Sequence, residues 1–362
     1  DNLQLFPCDI YAHRTSPTNI GLYLVCALCA RDFGFIDSEN LYARLGNTLT
    51  SIEKMKKWKG HLYNWYDTCS LSLLEPKYIS SVDSGNFLAC LIVLKEGVKQ
   101  YIHEKTEFIS VCRRIEKLFE ETDLSAIYNK NTDRFLIGVP VDENGNAIVS
   151  GGNDYDMLMS EARTLSYIAL AKREVPKKHW AKLSRPLVKK ADRIGVASWT
   201  GTAFEYFMPA LFLPTVKGSL MYEALRFAFY CQRQRYALTD KGYKVWGISE
   251  SGYFAFDSDM NYRYRAFGIP ELGLKRGLEN DLVISPYSSF LALCLNHTLP
   301  LANLKKLSMS GLYGKYGFYE ACDFTPGRSA GSGAPVKSYM SHHVGMSFIA
   351  CANACFDNIT VK

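Results

Sequence analysis

Apolar residues along the chain recur at spacings of three and four in about a dozen segments, the pattern of helices that bury one face. The first helix is marked by Ser16 as N-cap and Pro17 at the first helical position, with apolar spacing continuing through Ala30. Further helices are predicted over 38–58, 84–101, 104–121, 153–173, 201–212, 218–238, 285–296, 299–310 and 335–356. Segments such as SGNFLACLIVLKEG and PYSSFLALCLN are apolar nearly all round, which suits a helix covered on both sides. Alternation of such buried helices with amphipathic ones predicts two concentric layers. That is an all-α fold of the α/α toroid type, with inner helices at the centre and loops at one end forming a funnel. Stretch 129–152 departs from the pattern and predicts a short β-hairpin turning at Glu143–Asn146, while SAGSGAP at 329–335 reads as a loop.

The segments between the helices are unusual for loops. WKGHLYNWYDT (58–68), YISSVDSGN (78–86), WTGTAFEYFMP (199–209), VWGISESGY (245–253), YRYRAFGIPELGLKRG (262–277) and GKYGFYEACDFTPGR (314–328) are dense in aromatic, glycine and acidic residues. Loops are normally polar and small, so this concentration calls for a ligand or for burial of the loops themselves. The 362 residues include 23 Tyr, 20 Phe and 5 Trp, whose planar faces suit ligands with one apolar side and many hydroxyls, and equally suit a large core. A net charge of +6 is mild, and basic pairs such as Arg113–Arg114 and Lys275–Arg276 are isolated, so no nucleic-acid partner is expected. Eleven cysteines, mostly inside apolar runs, predict reduced core thiols and a cytoplasmic setting. Cys26 and Cys29 form a CxxC inside the apolar stretch IGLYLVCALCA, without a second CxxC or a nearby His at ligand spacing, which favours core packing. Apolar runs such as Ile20–Ala30 stop short of the roughly 18 residues a membrane span needs. GxxxxGK[ST], HExxH and GxSxG motifs are absent, and Gly311, Gly314 and Gly317 lack the spacing of a dinucleotide fingerprint. Neither a cofactor nor a metal is expected.

Five acidic residues stand in apolar, aromatic or small surroundings: Asp83, Glu161, Glu205, Glu250 and Glu320. Desolvation raises the pKa of such a carboxyl so that it can act as a general acid, while a second one kept ionised serves as nucleophile or base. Glycoside chemistry needs that pair. Each also has a structural alternative, a buried ion pair or a helix cap. Glu250 lies in WGISES, where flanking serines can fix it. Glu161 is expected inside a helix, sharing a mostly apolar face with Met157, Thr164 and Ile168. His342 and His343 are adjacent, so on a helix they point about 100° apart and suit hydrogen bonds to a ligand or carboxylate better than a shared metal. Tyr63, Trp65 and Asp67 in HLYNWYDT could form a sugar platform or pack against the wall.

The segments SPTNIGLYL, GHLYNWYDT, YISSVDSGN, SEARTLSYIALAKREVPKKHW, SWTGTAFEYFMP, WGISES, YRAFGIPELGLKRG, YGFYEACDFTP and YMSHHVGMS, in this order, resemble the glycoamylase-like region of cyclic β-1,2-glucan synthases. The resemblance runs from about residue 9 to 356. It implies an (α/α)6 toroid with a short β-hairpin insertion, forming one catalytic domain over residues 1–362 that is a piece of a longer chain. Any membrane association would then come only through other regions of that parent, at the cytoplasmic face of the inner membrane. The implied activity is intramolecular transglycosylation of linear β-1,2-glucan with retention, which closes the ring; an endo-acting hydrolase and a non-catalytic glucan-binding module are the alternatives. On the matching motifs Glu250 is the implied nucleophile and Glu161 the acid/base, with Glu205 and Glu320 as alternatives. Asp83, Tyr63, Trp65, Asp67, Arg163, Trp199, Tyr206, Trp246, Tyr319, His342 and His343 are the implied substrate-binding residues. The sequence departs from the family pattern at GIPELG, where GVPGLG is commoner.

Overall fold

The computed structural model describes residues 2–148, 153–329 and 333–361. The end of the predicted hairpin, 149–152, and residues 330–332 of the SAGSGAP segment lie outside them. The chain divides into two compact units, one formed by His13–Asp156 with Ala162–Ser184, the other by Asn2–Ala12, Met157–Glu161 and Arg185–Lys362.

The first unit is built on helices α1 (Pro17–Asp32), α2 (Ser38–Lys54), α3 (Ser81–Lys99), α4 (Phe108–Glu121), α5 (Arg163–Ala171) and α6 (Lys178–Lys182). Ser16 caps α1 as the sequence predicts, its side chain accepting from the Asn19 amide with Pro17 following. α1 and α3 are apolar on all sides and pack on each other, and α3 also packs on α5. Gly85 allows the latter approach: a Cβ there would stand 2.5 Å from Leu165 Cβ and 2.8 Å from its Cα. α2 and α4 instead bury single stripes, Leu41, Leu45, Leu49 and Ile52 on one, Phe108, Val111, Ile115 and Leu118 on the other. Those spacings follow the helical period, so each has one wet side. Buried and amphipathic helices therefore do alternate within this unit. The hairpin is present in altered form: Tyr128–Asn129 pairs with Arg134–Phe135, and Gly138–Pro140 joins Tyr78–Ser80 before the chain turns around Asp142–Asn146.

The second unit carries α7 (Ala203–Phe207), α8 (Leu220–Gln234), α9 (Tyr287–Leu291), α10 (Thr298–Met309) and α11 (Ser341–Cys355). Between them run short antiparallel strands. Ser251–Phe256 pairs with Tyr262–Arg265, and Ala321–Asp323 lies between Val283–Ile284 and Ala334–Val336. The all-α expectation thus holds for the packing helices and not for their connections, because buried loops satisfy their backbone groups by pairing with one another. The helix expected over 153–173 also begins only at Arg163. Met157, Leu158 and Met159 are all buried in extended backbone that bridges to Ser198, and a short continuous apolar run has the same composition in a buried strand as in a buried helix.

Of the eleven cysteines, Cys29, Cys90, Cys231 and Cys322 are buried, whereas Cys8, Cys69 and Cys355 are exposed, so the core-thiol expectation fits only part of the set. No helix among the described residues is long and apolar enough to cross a membrane.

One packing feature of the second unit explains a motif. Thr200 and Gly201 are wrapped by the segment Phe267–Gly273. A Cβ on Gly268 would lie 2.0 Å from the Thr200 carbonyl oxygen, and one on Gly273 2.6 Å from it. Gly201 itself has φ +77° and would meet the Ile269 carbonyl. Glu271, between the two wrapped glycines, is half-exposed and its carboxylate accepts from Lys190 Nζ at 2.8 Å. Gly268→Ala is therefore expected to destabilise the protein by about 1–3 kcal/mol through forced backbone movement, and Glu271→Gly by about 1 kcal/mol or less. Urea midpoints measure both; equal midpoints for Gly268→Ala and wild type would refute this account.

Candidate active site

Residues Trp246–Gly252 cross the second unit as largely buried backbone, irregular over 247–250 between a strand that ends at Trp246 and the one that begins at Ser251. Such a segment must find partners for its N–H and C=O groups among side chains. Asn303 of α10 accepts from the Trp246 amide at 3.2 Å and donates to its carbonyl at 2.8 Å. Gln232 of α8, fully buried, accepts from the Ile248 amide and donates to its carbonyl, both at 2.8 Å. Gly247 adopts φ +133°, and its carbonyl accepts from the Ser285 amide at 2.8 Å. The Tyr287 hydroxyl, at the start of α9, bonds Ser249 Oγ at 2.6 Å and the Glu250 carbonyl oxygen at 2.8 Å. Beyond Glu250, the amides of Gly252 and Phe254 donate to the carboxylates of Glu320 and Asp323, each at 3.1 Å.

Glu250 is thus held by its own backbone. Its side chain keeps some open surface, yet its pKa is pushed up to about 8, first by lost solvation and then by the negative charges of Glu161 and Glu205. A hydrogen bond from Tyr264 offsets part of the rise. Glu161 lies in the turn before α5 rather than within a helix, close enough to Glu250 to act on its titration.

Glu205 and Glu320 have other surroundings. Glu205 closes a capping box with Thr202 at the start of α7. Its carboxylate accepts from Ser198 Oγ at 2.7 Å and from the amides of Thr200, Gly201 and Thr202 at 3.0, 2.8 and 3.2 Å. These donors tie the carboxylate to its own loop. Glu320 is buried, with its pKa pushed up to about 7 by desolvation, and it meets His343 Nδ1 at 2.9 and 3.0 Å. Burial pushes both His342 and His343 down to about 3, so both rings are neutral at ordinary pH. A cavity of about 380 Å³ is lined by Glu320, His343, Tyr287, Tyr319, Tyr316 and Tyr339 among others, without Glu250 or Glu161. No group of three or more His, Cys, Asp or Glu among the described residues is placed to hold a metal ion.

The remaining sequence candidates divide. Trp199 is 52% exposed, whereas Trp246 and Tyr206 are buried. Tyr206 donates its hydroxyl toward the carbonyls of Val196 and Leu272 at 2.8 and 3.2 Å, and Trp246 packs edge-on to Phe229. Both hold loops together instead of offering a face to a ligand. In the first unit, Asp83 accepts from Thr18 Oγ1 at 2.6 Å. The Asn64 amide, oriented with its nitrogen toward Asp83, donates to Oδ2 at 2.9 Å and accepts from Trp65 Nε1 at 3.1 Å. Burial raises the Asp83 pKa against those hydroxyl bonds. The Arg14 guanidinium covers one face of Trp65 at 4.6 Å. Tyr63 and Arg163 are buried, and Asp67 organises its own turn by accepting from the amides of Cys69 and Ser70. Sequence reasoning missed Gln232, Asn303, Tyr264 and Tyr287; the only signal for Tyr287 was a polar-tipped aromatic opening an otherwise apolar run.

A model of the Glycoamylase family matches residues 154–360, more than half of the chain. This chain belongs to the Glycoamylase family. The Glycoamylase chain is also 31% identical, over 480 aligned positions covering 99% of its length, to the cyclic β-(1,2)-glucan synthase NdvB of Rhizobium meliloti, and it spans 17% of that protein. Its fold is shared with an endo-β-1,2-glucanase of Chitinophaga pinensis in complex with sophorotriose and glucose (TM-score 0.73, 15% identity, 99% of this chain and 87% of that one). An endo-β-1,2-glucanase mutant of Talaromyces funiculosus with bound β-1,2-glucan shares it likewise (TM-score 0.74, 13% identity, 96% and 78%).

The raised carboxyls of this Glycoamylase chain set a pH dependence of stability. A glutamate released by unfolding titrates near 4.5, below the value of about 8 for folded Glu250. Between those values the folded state binds more protons, so its stability falls as pH rises through about 8. Glu320, at about 7, acts in the same direction. Thermal melts from pH 5 to 9 should show Tm falling, and Glu250→Gln should flatten the fall. An equally steep fall in the variant would count against the raised Glu250.

Proposed function

We propose that the chain is a β-1,2-glucan-processing domain in which Glu161 and Glu250 are the carboxyl pair that breaks and re-forms the glycosidic bond. The observation that carries this reading is the raised Glu250, coupled to Glu161 while Glu205 and Glu320 are engaged elsewhere. Similarity to the NdvB synthase supports the substrate, and the fold shared with endo-β-1,2-glucanases supports both the substrate and the (α/α)6 toroid. On this proposal residues 1–362 act as one catalytic region of a longer cytoplasmic-side chain. Trp199, Tyr319 and His342 of the second unit contact sugar.

In the retaining mechanism, the acid protonates the leaving oxygen as the nucleophile attacks the anomeric carbon, leaving a glycosyl-enzyme and a free sugar hydroxyl. The same acid, now a base, then takes the proton of the incoming hydroxyl. If that hydroxyl belongs to the bound chain the product is a ring, and if it is water the product is a shortened chain. The motif resemblance gives Glu250 the nucleophile's role and Glu161 the acid/base's. Exchanged roles are favoured by one observation: in the free protein the Glu250 carboxyl is pushed up to about 8, and an acid must hold a proton where a nucleophile must not.

Incubation with linear β-1,2-glucan tests the function, with rings expected for transglycosylation and accumulating reducing ends for hydrolysis. Glu161→Gln and Glu250→Gln should each lower turnover by about 10²–10⁴-fold or more. Unchanged turnover in either, or a product pattern unaltered by Glu250→Gln with glucan still bound, would remove that residue from the mechanism. Azide rescue of the alanine variants assigns the roles: the nucleophile variant yields a glycosyl azide of inverted configuration, the acid/base variant one of retained configuration.

A further inference from the structure

We propose that Glu320, His343 and Tyr287 form a closed positioning relay that fixes the backbone on both sides of Glu250 and so sets where its carboxyl stands. The relay begins and ends on the same segment. Glu320, just before the strand Ala321–Asp323, accepts from the Gly252 amide at 3.1 Å. Its two carboxyl oxygens meet His343 Nδ1 in the first turn of α11 at 2.9 and 3.0 Å. The His343 ring lies flat on the Tyr287 ring, with centroids 3.7 Å apart and planes at 10°. Tyr287 then returns to Ser249 Oγ and to the Glu250 carbonyl at 2.6 and 2.8 Å. Two side chains, Tyr287 and Glu320, therefore grip residues 249, 250 and 252, and His343 joins the two.

The chemistry of the members suits positioning rather than proton transfer to a sugar. Both oxygens of Glu320 are engaged and the side chain is buried, so it makes contact through His343 and the Gly252 amide. A neutral His343 can stack on a tyrosine in the interior without the desolvation cost of a cation. Its Nε2 is buried without a hydrogen-bond partner among the described residues, leaving the Glu320 contact as the one that orients the ring. Facing the assembly, Glu161, Glu205 and Tyr264 act on Glu250, while His342, Tyr264 and Tyr287 are the titratable groups near Glu320 besides His343. Displacement of a reacting group by about 1 Å can cost about 10²-fold in rate, so a device that removes slack from Glu250 is worth its buried polar groups.

The relay rests on the reading of Glu250 as catalytic, so its test has one arm that needs no substrate. In the full chain, Tyr287→Phe keeps the ring and its stacking but loses both hydroxyl bonds. Glu320→Gln keeps an acceptor for the Gly252 amide, and Glu320→Ala removes it. Tyr287→Phe and Glu320→Ala are expected to lower kcat about 10–100-fold with KM changed less than about threefold, and Glu320→Gln to recover part of the loss. The limb of the pH–rate profile that Glu250 sets, the alkaline one for an acid and the acidic one for a nucleophile, should move down by about one unit as Glu250 gains access to water. Carbon-13 NMR of glutamate carboxyls in the free protein, with the Glu250 signal assigned by its loss in Glu250→Gln, should show the same downward shift in Tyr287→Phe. A Glu250 titration and kcat unchanged in Tyr287→Phe and Glu320→Ala would overturn the relay. An inactive wild type whose Glu250 titration still shifts in Tyr287→Phe would instead reject the glucan function and leave the relay standing.

Discussion

Buried backbone that passes between two short strands through an irregular stretch is the constraint on which the second unit depends. Residues 246–252 must run through the interior to carry Glu250, and each unpaired N–H or C=O there would cost about 1–3 kcal/mol. The unit meets that demand with side chains. Gln232, Asn303, Tyr287 and Glu320 come from α8, α10, α9 and the start of a strand, and each ends on a main-chain group of this segment. The placement of those elements follows from the need: a helix displaced by a turn would leave a carbonyl or amide unpaired. The same bonds that make the crossing tolerable also immobilise the residue proposed for catalysis, so stability and function draw on one set of contacts.

Four glutamates of this unit show how far surroundings divide one residue type. Glu205 collects several donors at a helix start, which tie it to its own loop. Glu320 has one amide and one neutral imidazole, and burial raises it. Glu250 has lost solvent and gained a nearby negative charge in Glu161, so it is raised further. Donor count, solvent and neighbouring charge are the three levers on a carboxyl; lost solvent leads at both Glu250 and Glu320, and at Glu250 the charges of Glu161 and Glu205 add to it. Glu205 also acts on Glu250 from its loop, adding to the rise of that carboxyl. The loop glutamate contributes charge where the relay contributes position.

How much of this was legible in the sequence depends on whether the signal is local. The Ser16–Pro17 start of α1 and the single stripes of α2 and α4 are set by neighbours three and four residues away, and the structure reproduces them. The carboxylates Glu161 and Glu250 were visible because acids in apolar surroundings are conspicuous. Glu161's backbone was not: Met157–Met159 is apolar without a period, and only the bridge to Ser198, far along the chain, decides for an extended strand. Gln232, Asn303 and Tyr287 escaped for a related reason. A polar residue inside a helix gives no sign of the distant carbonyl it will meet, and Gln232 and Asn303 look like any other amides until the segment they serve is in place.

The departure from the family pattern at GIPELG is settled by the same kind of distant contact. In a loop motif, glycines can be present because the backbone bends there or because another chain segment lies too close for a Cβ. Gly268 and Gly273 are of the second kind, since the Thr200 carbonyl occupies the space a side chain would take. Position 271 meets neither condition: it is half-exposed, and its glutamate reaches Lys190 at the surface. The two glycines that matter hold the Trp199–Thr202 loop, whose amides in turn hold Glu205, whose charge acts on Glu250. Glu271 stands outside that chain of contacts. The substitution therefore leaves the route from motif to proposed catalytic carboxyl intact, because that route runs through backbone spacing at 268 and 273 and not through the residue between them.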